Sequence, residues 1–268
     1  MSPIHEVISS AAQFSRAAEF QAHASHLINE TESYRELVYT DVPKDWGWEI
    51  VDHLNDTVVR PCRKHYDSAK RVFWVRVMPE EIHDCHQKWW HDQLCSWIST
   101  RQLAPNDLLD LWPGAGTTFS CFQGEYVGSR HEPDFFLRWG TIRMPKFVIE
   151  TGWNESWSRL QDDMNLWLVG GAGDVGGVLL LKWHKVGNSN KVRGKAELYG
   201  LDQNGMPVRK ESKIIFPVPP QPNNILDQIS LPRRILFGPG SQGVLDWNMN
   251  DLRRIATTAL GFMSLVPA

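Results

Sequence analysis

Hydrophobic and polar positions alternate along this chain in two rhythms. Five stretches carry apolar residues at helical spacing. The first spans residues 4 to 39, where Ile8, Ala12, Ala18, Ala22, Leu27 and Ile28 drift along one face. Pro43 interrupts it, and a second piece runs from Trp46-Gly47-Trp48 to about Tyr66. The third opens at Pro79-Glu80-Glu81, with proline in the first turn and acids at the positive dipole end. Its apolar face is Ile82, Trp89, Trp90, Leu94, Trp97 and Ile98. The fourth carries Leu160, Met164, Trp167 and Leu168, with Ser156 as its expected N-cap and Gly170-Gly171 as its stop. The fifth, Asn250 to Met263, turns Leu252, Ile255, Ala259, Leu260 and Met263 inward, with Asn250 as the expected cap.

Between them lie short runs of β-branched and aromatic residues that read as strands. These are 70–77, 117–122, 135–137, 146–150 and the wholly apolar Val178-Leu179-Leu180-Leu181, the last suited to a sheet centre buried on both faces. Segments 196–201 and 208–216 form a hairpin about Asn204-Gly205, a strong turn signal. Pro217 to Asn224 reads as an extended linker. The order helix, three strands, helix, strand predicts an α/β protein with a mixed central sheet. The expected divisions are a helical extension over 1–68, a core over 69–216, and the linker with a terminal helix packing on the core over 217–268.

Composition narrows the functional classes. The 268 residues fit one large domain with extensions. A net charge of −3 gives no global basic signature, so a nucleic-acid partner must be held by a local patch or through a metal. Cys62, Cys85, Cys95 and Cys121 include no Cys-x-x-Cys pair and read as reduced thiols. Met1 to Glu6 lacks the charged and apolar regions of a secretion signal, and no apolar run reaches the ~20 residues of a membrane span. An intracellular setting, cytoplasmic or nuclear, is the expectation, with no membrane partner.

Candidate chemistry centres on two acids. Glu132-Pro133-Asp134 runs into Phe135-Phe136-Leu137, and Glu150 closes Lys146-Phe147-Val148-Ile149. A carboxylate on a buried strand needs a partner. Two brought together by a hairpin repel unless a cation lies between them, and a hard divalent cation is the natural choice. Arg138 and Arg143 offer the alternative, an ordinary structural pairing.

Pro133-Asp134, the strand hairpin and Phe-Val-Ile-Glu150, between a helix and a helix–strand crossover, resemble the PD-(D/E)XK nuclease-like superfamily. That family has a restriction-endonuclease-like fold with an αβββαβ core, and the resemblance covers about residues 79 to 184. It implies a Mg²⁺- or Mn²⁺-dependent hydrolase cutting a phosphodiester in DNA or RNA. Asp134 and Glu150 would hold the metal, with the carbonyl of Thr151 completing the set. The family's lysine, two residues after the second acid, is replaced by Gly152. Lys182 is the expected substitute, since a right-handed crossover would make strands 147–151 and 178–183 parallel and bring both residues to one sheet edge. Gln161 would orient the attacking water, and Glu81 is the preferred first-helix acid. The competing expectation is a catalytically inactive binding or interaction module on the same fold, consistent with Gly152.

Other signals read as structural. Gly171-Ala172-Gly173-Asp174-Val175-Gly176 spells G-x-G-x-x-G, but it follows a helix and enters a strand, the reverse of a dinucleotide loop. His83, Cys85, His86, His91 and Cys95 share one helix and cannot by themselves close a tetrahedral zinc site. Trp89, Trp90 and Trp97 sit at core spacing rather than as a base-stacking platform. Arg159, Lys185, Lys191, Arg193 and Lys195 form either a phosphate-contacting rim or a solvated hairpin face. The N-terminal helices are candidates for homo-oligomer contacts.

Overall fold

The computed structural model describes residues 6–78, 80–153, 157–220 and 226–268. The expected helix start at Pro79, the cap at Ser156 and most of the expected linker, 221–225, lie outside them. In chain order the first elements are β1 (Glu6–Ser10), α1 (Ala17–Asn29), β2 (Arg35–Thr40), α2 (Lys44–Thr57), β3 (Cys62–Asp67) and β4 (Val72–Val77). Then come α3 (Glu81–Ser99), β5 (Leu111–Gly114), β6 (Arg130–His131), β7 (Phe135–Trp139), β8 (Phe147–Trp153) and α4 (Trp157–Gly170). The rest are β9 (Gly177–Lys185), β10 (Lys191–Leu201), β11 (Pro207–Phe216), β12 (Gln228–Pro232), α5 (Arg233–Phe237), β13 (Val244–Asn248), α6 (Met249–Phe262) and β14 (Val266–Pro267). The fold is thus mixed α/β. Among the described residues, no helix is long and apolar enough to cross a membrane.

Two compact units emerge. One runs to Glu80 and takes in Gly116–Pro133; the other comprises Glu81–Ala115 and Asp134–Ala268. The first contains a five-stranded sheet in the order β1-β2-β4-β3-β6, with β1 parallel to β2 and the other pairs antiparallel. Its core gathers Phe20, Ile28, Leu37, Tyr39, Ile50, Leu54, Tyr66 and Phe73. Gly47 allows α2 to lie against β3, since a Cβ there would fall 2.1 Å from the Tyr66 ring.

The helical extension expected over 1–68 is therefore part of an α/β unit. β1, β2 and β3 are only five or six residues long, and their pairing across the sheet overrides the helical drift of the surrounding Ala, Glu and His residues. The expected boundary at residue 68 falls inside this unit, where β3 and β4 pair as neighbours.

The second unit holds a seven-stranded sheet in the order β11-β10-β9-β8-β7-β5, with β14 alongside β10. β8 and β9 are parallel and joined through α4; β14 is parallel to β10, and the remaining pairs are antiparallel. Trp89, Trp90 and Trp97 of α3 pack with Trp247 of β13, at ring distances of 4.8 to 5.9 Å. The Trp89 and Trp97 indoles donate to the carbonyls of Asn248 and Asp246. These rings are core, as their spacing suggests.

Three details differ from the sequence pattern. The first strand of this sheet is Leu111–Gly114, not 117–122; Pro113 is tolerated because β5 is an edge strand. In 117–122 only Phe119 makes an isolated bridge, to His131 of the same unit. The cap of α6 is Asn248 rather than Asn250, its Oδ1 accepting from the N–H groups of Asn250 and Asp251. β12 and β13, which the sequence pattern did not mark as strands, pair antiparallel across α5.

Candidate functional site

The register of β7 on β8 sets the backbones of the two acids side by side, and their side chains then turn to different helices. Phe135 pairs with Ile149 and Phe136 with Val148, so one further step sets Asp134 opposite Glu150. Both are 1% exposed. The Asp134 carboxylate is held from two sides: Oδ2 accepts the main-chain N–H of Thr151 at 2.8 Å, and Nε2 of His83 lies 3.4 Å from the same oxygen. His86, one turn on along α3, places Nδ1 at 2.9 Å from the His83 carbonyl and 3.3 Å from the Thr151 hydroxyl. Its Nε2 lies 3.4 Å from the main-chain oxygen of Asp134. Burial pulls the titration of His86 down, against the charges of Asp134 and Asp84. In the neutral ring only one nitrogen carries a proton, and the shortest contact, to the His83 carbonyl, takes it.

Glu150 points to the other face of β8, where α4 lies. Its Oε1 accepts the Trp167 indole N–H at 2.6 Å. Asp163, also buried on α4, brings a carboxylate oxygen within 4.8 Å of that of Glu150. Two unit charges at that distance repel by about 3 kcal/mol at an effective dielectric near 20. Carboxylate oxygens are the donors that a hard divalent cation takes.

Lys182 completes the picture on the same face. In the parallel β8–β9 ladder Glu150 pairs with Leu180 and Gly152 with Lys182. Residues two apart on a strand share a face, so the ammonium stem stands beside Gly152 and on the Glu150 side. Lys182 is half-buried. The register gives the expected parallel pairing and the shared face, but Glu150 stands at the middle of β8 rather than near its carboxyl end.

Gln161 is engaged elsewhere. Its side chain bonds the Tyr199 hydroxyl on β10. Tyr199 in turn donates to Glu197 at 2.5 Å, and burial together with that carboxylate pushes its phenol up to about 12. Glu197 also binds Lys195, and Arg209 at 2.9 Å. The α4 residue beside Glu150 is Asp163, two positions on from Gln161. Glu81 is exposed at the start of α3, and Asp84 takes the nearer position, its Oδ1 3.2 Å from His83 Nδ1.

His83, His86 and Asp163 are thus the site residues that sequence reasoning passed over. Each lies on the apolar stripe of its helix: His83 and His86 in step with Trp90, Gln93 and Trp97, Asp163 with Leu160 and Trp167. A polar residue in phase with buried ones is the signal that finds them. His91 and Cys95 are exposed, and His83, Cys85, His86, His91 and Cys95 join no cluster of three metal-ligating groups among the described residues. The glycine-rich segment 171–176 spends the amides of Gly171, Ala172, Asp174 and Gly176 on carbonyls of its own surroundings, which leaves little for a pyrophosphate.

No protein-family model matches this sequence, and comparison with curated proteins and with solved structures likewise gives no match.

Proposed function

We propose that the second unit is a divalent-metal-dependent phosphodiesterase, a nuclease of the PD-(D/E)XK type acting on DNA or RNA. One observation carries the reading. The lysine absent at Gly152 has a counterpart one strand away, in direct register and on the face of Glu150. The order α3, β5, β7, β8, α4, β9 also agrees with an αβββαβ core.

Glu150 and Asp163, on the α4 side of β8, would hold Mg²⁺ or Mn²⁺, whereas Asp134 is engaged on the α3 side, so the expected Asp134–Glu150 pair with the Thr151 carbonyl gives way to this one. A bound ion of this kind activates water and neutralises charge on the attacked phosphate. The chain's own groups do the rest. The Thr151 N–H and His83 fix the Asp134 carboxylate, which anchors the backbone next to Glu150 from the α3 side. The Trp167 N–H fixes Glu150 in the same way. The Lys182 ammonium offers a positive charge and rotatable donors to the attacking water or the phosphate oxygen.

A binding module without catalysis is the second reading, favoured by the depth at which both acids are buried and by the indole already on Glu150. Purified protein incubated with Mg²⁺ or Mn²⁺ and linear or single-stranded DNA separates the two. Cutting by wild type that Glu150→Gln abolishes is the expected result, together with a metal-induced rise in Tm that the variant lacks. Equal cutting by both proteins removes Glu150 from the chemistry, and no metal-dependent shift in wild type leaves the carboxylates structural.

A further inference from the structure

The β9–β10 ladder sets basic side chains face to face. Lys182 pairs with Lys195, and His184 with Arg193. Strand alternation puts all four on the face that carries Glu150, and Lys191, two residues before Arg193, shares it. His184, Lys191 and Arg193 are exposed. Like charges directly opposite on neighbouring strands destabilise a sheet. Lys195 is compensated locally, by Glu197 and by the Trp157 ring 4.9 Å from its ammonium. Lys191 and Arg193 form no ion pair among the described residues. The proximity is felt: the titration of His184 is drawn down by burial and then by the charges of Lys182 and Arg193.

We propose that this face of β9 and β10 is the track along which the phosphodiester backbone of a nucleic acid lies on its way to Glu150. The proposal rests on the nuclease reading for what happens at the end of the track. Rungs two residues apart repeat at about 6.7 Å, so Lys191, the Arg193–His184 rung and the Lys195–Lys182 rung extend about 13 Å. A row of that length suits a polyanion rather than a single phosphate. It runs inward from the exposed hairpin end and finishes at Lys182, the residue facing Gly152.

The test uses the full chain in EDTA, so that no cutting intervenes. Fluorescein-labelled 20-mer DNA, duplex and single-stranded, is titrated by anisotropy between 50 and 300 mM KCl. Lys191→Gln/Arg193→Gln should weaken binding at least tenfold at the lowest salt. It should also lower the slope of log Kd against log salt by about 1.8 for duplex, or 0.9 per lost phosphate contact. Lys191→Arg/Arg193→Lys should keep the wild-type slope. The Tm of the double Gln variant without DNA should not fall, because cross-strand repulsion is relieved, and that result separates lost contacts from lost folding. An unchanged slope in the double Gln variant, or no DNA binding by wild type, overturns the track. Wild type that binds with the expected slope yet never cuts with Mg²⁺ or Mn²⁺ supports the track and refutes catalysis. Cutting by wild type with an unchanged slope in the variant does the reverse.

Discussion

Replacing Lys182 by methionine keeps the length and apolar stem of the side chain and deletes the charge. Lys182 and Gly152 are direct partners on neighbouring strands, about 4.8 Å apart. A flexible four-carbon stem ending in a rotatable ammonium spans that offset, so a lysine rooted on either strand reaches one point beside Glu150. If that ammonium positions or polarises the attacking water, its loss should cost 10²- to 10⁴-fold in the cleavage step, about 3–5 kcal/mol of barrier. Stability should hardly change. Removing one of two facing cations, Lys182 and Lys195, relieves a repulsion worth about 0.2–1 kcal/mol. The decisive variant is the transplant, Gly152→Lys/Lys182→Met, which returns lysine to the position two residues after Glu150. Single-turnover cleavage of labelled DNA with Mg²⁺, alongside melting by circular dichroism, reads both quantities. At least tenfold recovery in the transplant relative to Lys182→Met is expected. A Lys182→Met protein that cuts at the wild-type rate sinks the assignment.

Two further outcomes follow from the buried groups. Trp167→Phe leaves the Glu150 carboxylate without the indole donor at 2.6 Å and should lower stability by at least about 1.5 kcal/mol in urea melts, an effect that Glu150→Gln in the same background reduces. A neutral Trp167→Phe substitution would refute the view that Glu150 is ionised in the folded protein. His65 in the first unit and His86 in the second are fully buried, and burial above all holds both titrations below the usual value of 6.5. Below that pH the unfolded chain takes up protons that the native rings refuse. Stability is therefore full above about 6.5 and is lost as pH falls from there toward each folded pKa, by up to about 1.4 kcal/mol per pH unit for each histidine. Urea melts from pH 7.5 to 5 should show this loss and His86→Gln should remove its share; a flat profile contradicts the burial argument.

What the sequence made legible was set by length of pattern. α3 and α4 show long apolar stripes, and β9 opens with the apolar run Val178–Leu181, so the order of elements around Asp134 and Glu150 could be read directly. The parallel pairing of Glu150 and Lys182 strands then followed from the handedness of the crossover. Strands β1, β2 and β3 escaped because five or six residues do not establish a period of two against a helical background, and only their neighbours in the sheet decide the outcome. β5 escaped because Pro113-Gly114 reads as a breaker unless the strand is known to lie at an edge. Within the site, residue type misled more than pattern did. Gln161 drew attention by analogy, whereas Asp163 occupies the buried phase of the same helix; His83 and His86 were weighed only as zinc ligands of one helix, not as neighbours of Asp134.

Charge across strands is the property least visible in one dimension, and the β9–β10 ladder shows what fixes it. Slipping this pair by one residue would turn Lys195 and Arg193 to the opposite face and bring Val192, Gly194 and Ala196 to theirs. The observed register is held by that opposite face, where Val192, Ala196, Trp183 and Ile215 are completely buried. Gly194 pairs with Trp183, and a Cβ at Gly194 would fall 2.5 Å from the indole, so the ring lies directly across the glycine backbone. Burying a side chain such as Val contributes about 1.5–3 kcal/mol, and several act together here. The like-charge Lys182–Lys195 rung costs about 0.2–1 kcal/mol. Packing therefore wins by a wide margin and imposes the cationic row on the other face. Its exposed members, Lys191 and Arg193, are the charges that an anion lying along the row would offset.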